Sequence, residues 1–238
     1  MLMNAFQNRT SVLGKMLNNV FQTLTSELHF TFPEYDRVIF SDGDSSVDVF
    51  VNFHSIIISM TSCLDLLSKV AYELQEMPTV QFETYPKMNS MKFTFGSIHK
   101  LKSNLKRDNT IFSESKPLCI STLESIRDEI IHNGLLDFYN NLYSDVKDGV
   151  IEHWIFAPDF NEFGRLVTYK NRKKFYSNYD STMNALLPQL MLDMIYLFAE
   201  TLSVIIKEFD CEAYTDMDTI NKYSKYLIAL EKTMNWIG

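Results

Sequence analysis

Residues 47–76, VDVFVNFHSIIISMTSCLDLLSKVAYELQE, contain neither a glycine nor a proline. Along them Val51, Ile57, Ile58, Leu64, Leu67, Val70 and Leu74 recur at helical rather than alternating spacing. A run of this length commits the chain to one helix of about eight turns, which other elements must cover. Through Ile58 it is apolar nearly all round, which predicts a central helix packed on more than one side. Pro78 closes it, because proline cannot continue the hydrogen-bond ladder.

The flanking segments repeat the theme. Residues 4–28 place Phe6, Val12, Leu13, Leu17, Val20, Phe21 and Leu24 at mostly helical spacing, before Phe32-Pro33-Glu34-Tyr35 ends the segment. The SDGDSS stretch at 41–46 reads as a loop whose Ser and Asp side chains cap the long helix. Residues 77–118, holding Pro86, Gly96 and Pro117, read as a connecting region with one short helix near 97–106. Ser121-Thr122-Leu123-Glu124 fits a capping box opening a helix over 121–133. Leu123, Ile126 and Ile130 give that helix its core stripe, and Asn133-Gly134 stops it. Around Pro158-Asp159 and Gly164, residues 149–170 carry short aromatic and β-branched stretches, as in a hairpin or extended excursion. Two further helices are expected over about 180–208 and 217–236. With 7 glycines and 6 prolines in 238 residues, and no internal repeat, nothing marks a domain boundary. The expectation is a single all-α domain over 1–238 with a small β-hairpin-like insertion near 149–170.

Composition narrows the function. A net charge of −8 argues against a broad basic surface that coats nucleic acid, while leaving room for a small phosphate site. Two basic clusters, His99 to Arg107 and Lys170 with Arg172-Lys173-Lys174, read first as solvated loop charges. Cys63, Cys119 and Cys211 are odd in number and far apart, so neither a disulfide framework nor a cysteine zinc site is expected. Polar residues break every apolar run of the N-terminal MLMNAFQNRTSVLGKML, unlike a signal peptide. Asp193 and Glu200 interrupt LPQLMLDMIYLFAETLSVII, which therefore reads as a buried helix, and no membrane partner is expected. The expected location is the cytoplasm. There is no GxxxxGK[ST] loop, GxGxxG, GxSxG or HExxH motif, and the five histidines never pair at i, i+3 or i, i+4. No metal and no cofactor are expected.

The stretch SIRDEIIHNGLLDF, 125–138, gathers Arg127, Asp128, Glu129 and His132 at a helix end. His132 falls in the last turn, where the helix dipole favours a cation, and imidazole is the side chain suited to carry protons near neutral pH. The planar fork of Arg127 suits phosphate oxygens bidentately. Five residues separate the two by about 140° around an ideal helix, an offset that arginine's length can bridge. Asp128, four residues before His132, is placed to orient its ring. Spacing alone favours the solvated face of an amphipathic helix. Asp65 and Lys69, four apart on the long helix, form either an ordinary ion pair or part of a cleft. His153-Trp154 either stacks on a base or packs internally.

Arg127-Asp128-Glu129-Ile130-Ile131-His132-Asn133-Gly134 resembles the R-x(4–6)-H motif of the HEPN superfamily. The earlier helix SMTSCLDLLSKVAYEL, 59–74, is similar to the family's other core helix. The resemblance covers roughly 45–210, leaving 1–40 and 211–238 as additions without a counterpart. It implies an up-and-down helical bundle and a metal-independent endoribonuclease that works as a homodimer with a composite cleft. His132 would be the general acid or base, Arg127 would hold the scissile phosphate, and Asp128 and Asn133 would position the pair. The products would be a 2′,3′-cyclic phosphate and a 5′-hydroxyl. Such proteins serve as toxins or antiphage effectors held in check by an antitoxin or defence partner. The resemblance is also compatible with a non-catalytic binding module beside a nucleotidyltransferase.

Overall fold

The computed structural model describes residues 2–26, 39–41, 43–76, 89–134, 141–147, 150–168 and 181–209. Expectations for 77–88, for the second basic cluster and for a helix over 217–236 lie outside these residues. The chain is mostly helical, with α1 at Leu2–Ser26, α2 at Asp44–Glu76, α3 at Leu118–Asn133 and α4 at Met183–Glu208. Strands β1 (Ile39–Ser41), β2 (Leu142–Lys147) and β3 (Val150–Trp154) form an antiparallel sheet in the order β1-β2-β3. Two compact units emerge. One draws on the chain up to Ser11, on Met60–Ile120 and on the chain from Met191, and the other comprises Val12–Ser59 and Ser121–Leu190.

In the first unit, Met60, Leu64 and Leu67 of α2 are fully buried, together with Leu105, Ile111 and Phe112 of the segment that follows. That segment holds three 3-10 helices, Asn89–Lys92, Phe95–Lys100 and Ser103–Leu105, where one short helix near 97–106 was expected. The reason is visible in its backbone partners. Asp65 accepts the Phe95 N–H at 2.8 Å, Glu73 the Ser90 N–H at 2.6 Å, and Gln75 the Lys102 N–H at 2.8 Å. Thr201 of α4 accepts the Ile111 N–H at 3.0 Å. Side chains thus take backbone donors that a helix would have satisfied internally. Tyr72 stacks on Phe93 with ring centroids 4.4 Å apart, holding the start of the segment against α2. Its basic cluster is largely solvated, as expected, with Lys100 and Lys102 exposed and Arg107 ion-paired to Glu208.

The second unit takes Leu13, Leu17, Val20 and Leu24 of α1, Phe50, Phe53, Ile56 and Ile57 of α2, and Leu123, Ile126 and Ile130 of α3 into its core. The first stretch of α2 is not apolar-packed all round. Val47, Val51 and Ile58 are 42%, 56% and 40% exposed, because they share one side while Phe50, Phe53 and Ile57 take the buried one. Helix α3 begins at Leu118, a turn earlier than the capping-box pattern suggested. Pro117 supplies a pre-set φ, Ile120 N–H closes on the Pro117 carbonyl at 3.1 Å, and Ser121 lies buried inside the helix. The strand pair also begins earlier than 149–170, since β2 starts at Leu142, and β1 adds a third strand through Phe40 opposite Tyr143. Beyond β3 the chain is tied to the start of α4, with Met183 N–H donating to Ile155 at 2.8 Å and Asn184 Nδ2 to His153 at 2.8 Å. Trp154 packs edge-on against Phe156, with centroids 6.1 Å apart at 81°.

By length and composition α2 and α4 are both apolar enough to cross a membrane. Helix α4 was expected to be buried. It buries one stripe, Leu187, Met191, Met194 and Phe198, while Glu200 and Lys207 are exposed on its remaining surface.

Candidate functional site

Helix α3 sorts its residues by face. Leu123, Ile126 and Ile130 are buried, which turns Ser125, Asp128, Glu129 and His132 to another side at i, i+3, i+4 and i+7. The helix ends as its sequence suggests, with Gly134 at φ +85° and its N–H donating to the Ile130 carbonyl at 3.0 Å. That end leaves His132 and Asn133 exposed.

Opposite this face lies the loop that follows β3. Its hairpin is held by bonds within the loop, including those to the Asn161 side chain. Asn161 Oδ1 accepts the N–H groups of Phe163 at 3.0 Å and Arg165 at 2.9 Å, and Asn161 N–H donates to the Arg165 carbonyl at 2.9 Å. Gly164, at φ +71°, makes the reversal. Leu166 N–H then donates to Ser125 Oγ of α3 at 3.0 Å, which docks the loop on the helix. Between helix and loop is a cleft of about 380 Å³. Helix α3 contributes Ser125, Asp128, Glu129, His132 and Asn133, and the loop contributes Arg165, Leu166 and Thr168.

Of the residues singled out in the sequence, His132, Asp128 and Asn133 line this cleft and Arg127 does not. Arg127 Nη1 donates to Asp128 Oδ1 at 2.8 Å, with the two side chains 39% and 49% exposed. Asp128 therefore meets the guanidinium rather than the imidazole it was expected to orient. Asn133 Nδ2 donates to Glu129 Oε2 at 2.8 Å. Both carboxylates of the cleft are engaged. The His132 imidazole and the Arg165 guanidinium have no hydrogen-bond or ion-pair partner among the described residues. Asp65 and Lys69 belong to the first unit, where Asp65 receives the Phe95 N–H, and no described ion pair joins the two.

The cleft thus offers a proton carrier, a planar cationic fork, and in Thr168 a hydroxyl on its wall. Those groups suit an anion. No cluster of three or more His, Cys, Asp or Glu side chains poised for a metal occurs among the described residues. Arg165, Ser125 and Thr168 were missed in the sequence. Asn161 and Gly164, typical turn residues ahead of Arg165, were the available signal that this arginine leaves a tight reversal. No protein-family model, no curated protein and no solved structure matches this chain.

Proposed function

We propose that the chain is a metal-independent endoribonuclease of the HEPN type, built on an up-and-down helical bundle. It acts in the cytoplasm as a homodimer and serves as a toxin or antiphage effector with an antitoxin or defence partner. One observation carries the reading: the R-x4-H stretch ends a helix at which His132 stands exposed in a cleft, with no bond to its imidazole among the described residues. In the reaction, imidazole removes the proton of a ribose 2′-OH and the 2′-oxygen attacks the adjacent phosphorus. The bond to the 5′-oxygen breaks, that oxygen leaves with a proton, and a 2′,3′-cyclic phosphate and a 5′-hydroxyl result. Arg127 would reach the shared cleft of the dimer once released from Asp128. The purified protein is expected to cut single-stranded RNA in EDTA, and His132→Ala to stop it. Undiminished cutting by that variant would remove His132 from the site.

A second reading has its own support. Arg127 is held by Asp128 and stands outside the cleft, which fits a non-catalytic HEPN-like module beside a nucleotidyltransferase or another defence protein. Inert wild-type protein that leaves bacterial growth untouched on expression would favour it.

A further inference from the structure

The motif arginine and the motif histidine point to different surroundings in this chain, yet the cleft at His132 has a cation of its own. We propose that Arg165 is the phosphate-binding residue of the cleft, gripping the scissile phosphodiester of RNA beside His132. The proposal rests on the ribonuclease reading for its substrate but on independent geometry for its site.

Three features support it. The first is presentation. Arg165 sits where both its backbone N–H and its carbonyl are fixed by Asn161, at 2.9 Å each, and the next N–H is fixed by Ser125 at 3.0 Å. A backbone so constrained fixes where the side chain starts, so that binding a ligand has to order only the side chain itself. The second is availability. The Arg165 guanidinium has no partner among the described residues, whereas Arg127 is neutralised by its neighbour Asp128. The third is local charge. Asp128 is ion-paired with Arg127, whereas Glu129 accepts the neutral Asn133 amide and keeps its charge, so Arg165 is the cation on the cleft wall that no described carboxylate pairs. A guanidinium fork at such a place matches two non-bridging phosphate oxygens, and Thr168 can add a hydroxyl.

The test pairs cleavage with binding. Wild type, Arg165→Ala, Arg165→Lys and Arg127→Ala are assayed on single-stranded RNA. Each is also titrated with a 2′-O-methyl RNA of the same sequence, which lacks the attacking hydroxyl, while the His132 ring is followed by NMR. Arg165 is exposed, so the variants are expected to keep the wild-type melting temperature. Expected are a loss of cleavage on the order of 100-fold for Arg165→Ala, with a smaller loss for Arg127→Ala. The His132 signal should move with the 2′-O-methyl RNA in wild type, not in Arg165→Ala, and partly in Arg165→Lys. If wild type cuts RNA and Arg165→Ala cuts as fast, the proposal is overturned and the ribonuclease reading stands. If wild type does not cut but the 2′-O-methyl RNA moves His132 through Arg165, the subsite stands and the ribonuclease reading falls. If that RNA leaves His132 unmoved in wild type, the subsite is overturned.

Discussion

Two irregular segments of this protein are docked on helices by the same device, a side-chain oxygen accepting a backbone N–H, and they use it to different ends. In the first unit the segment from Asn89 to Ile111 is held by Asp65, Glu73, Gln75 and Thr201. In the second unit the loop from Asp159 to Thr168 is bonded to its helix through the Leu166 N–H and Ser125. Helix polar groups in the first case are consumed by structure, and Glu73 is buried to do so. In the second the loop is self-supporting through Asn161, and its helix keeps His132 outside the bonding scheme. Polar residues on a helix therefore separate into two kinds once their bonds are counted: those the backbone needs and those left open to solvent or a ligand.

The sharpest break of this comparison is a crossed pair of variants. His132→Ala is expected to lower RNA cleavage by about 10²–10⁴-fold while changing unfolding free energy by less than about 0.5 kcal/mol. Glu73→Ala should do the reverse in kind. Deleting that carboxylate strands the buried Ser90 N–H, at a cost of about 1–3 kcal/mol in a urea melt, with turnover per folded molecule unchanged. A His132→Ala variant as destabilised as Glu73→Ala would show that His132, too, belongs to the structural kind.

A smaller effect is expected at the bond between Leu166 of the second loop and Ser125 of its helix. Ser125→Ala removes the acceptor of the Leu166 N–H, which is only partly buried, and should cost roughly 0.5–1.5 kcal/mol. Because the same bond sets the loop that bears Arg165, affinity for a 2′-O-methyl RNA should fall as well. Loss of stability without loss of affinity would mean that the Asn161 hairpin positions Arg165 by itself.

How much of this was legible in the sequence follows from the range of the forces involved. The helices and their buried stripes were, since Leu123, Ile126 and Ile130 or Leu13, Leu17, Val20 and Leu24 repeat locally with the helical period. The stop at Gly134 was legible for the same reason. What failed was competition between local signals. Ser121 to Glu124 makes a sound capping box, but Pro117 starts the helix first. Strand β2 lies ahead of the expected 149–170 excursion, although Asp148-Gly149, a strong hairpin signal, follows it in the sequence. Packing on more than one side does not extend to Val51 and Ile58, because apolarity alone does not tell which side of a helix meets a neighbour. At the site, His132 and its helix end were visible, whereas the match with Arg165 was not. Two residues 33 positions apart that line one cleft, brought there by a loop bonded to the helix at Ser125, leave no periodic trace.

A second imidazole in the same unit sharpens the contrast at a lower energy. His54 of α2 lies beside Phe50 and Phe53, with ring centroids 6.1 and 5.8 Å away, and its Nε2 is buried without a partner among the described residues. Burial holds its pKa below the ordinary 6.5, because an imidazolium there would lose hydration. The unfolded chain takes up that proton as pH falls through 6.5, whereas the folded chain resists it. Stability from this site is therefore complete above 6.5 and is lost on acidification toward the lower folded value. Urea melts across this range should show wild type losing stability with falling pH more steeply than His54→Phe, a variant with no proton to bind. Equal slopes in the two proteins would mean that the His54 ring is solvated in the folded state, as His132 is, and the burial assigned to it would be wrong.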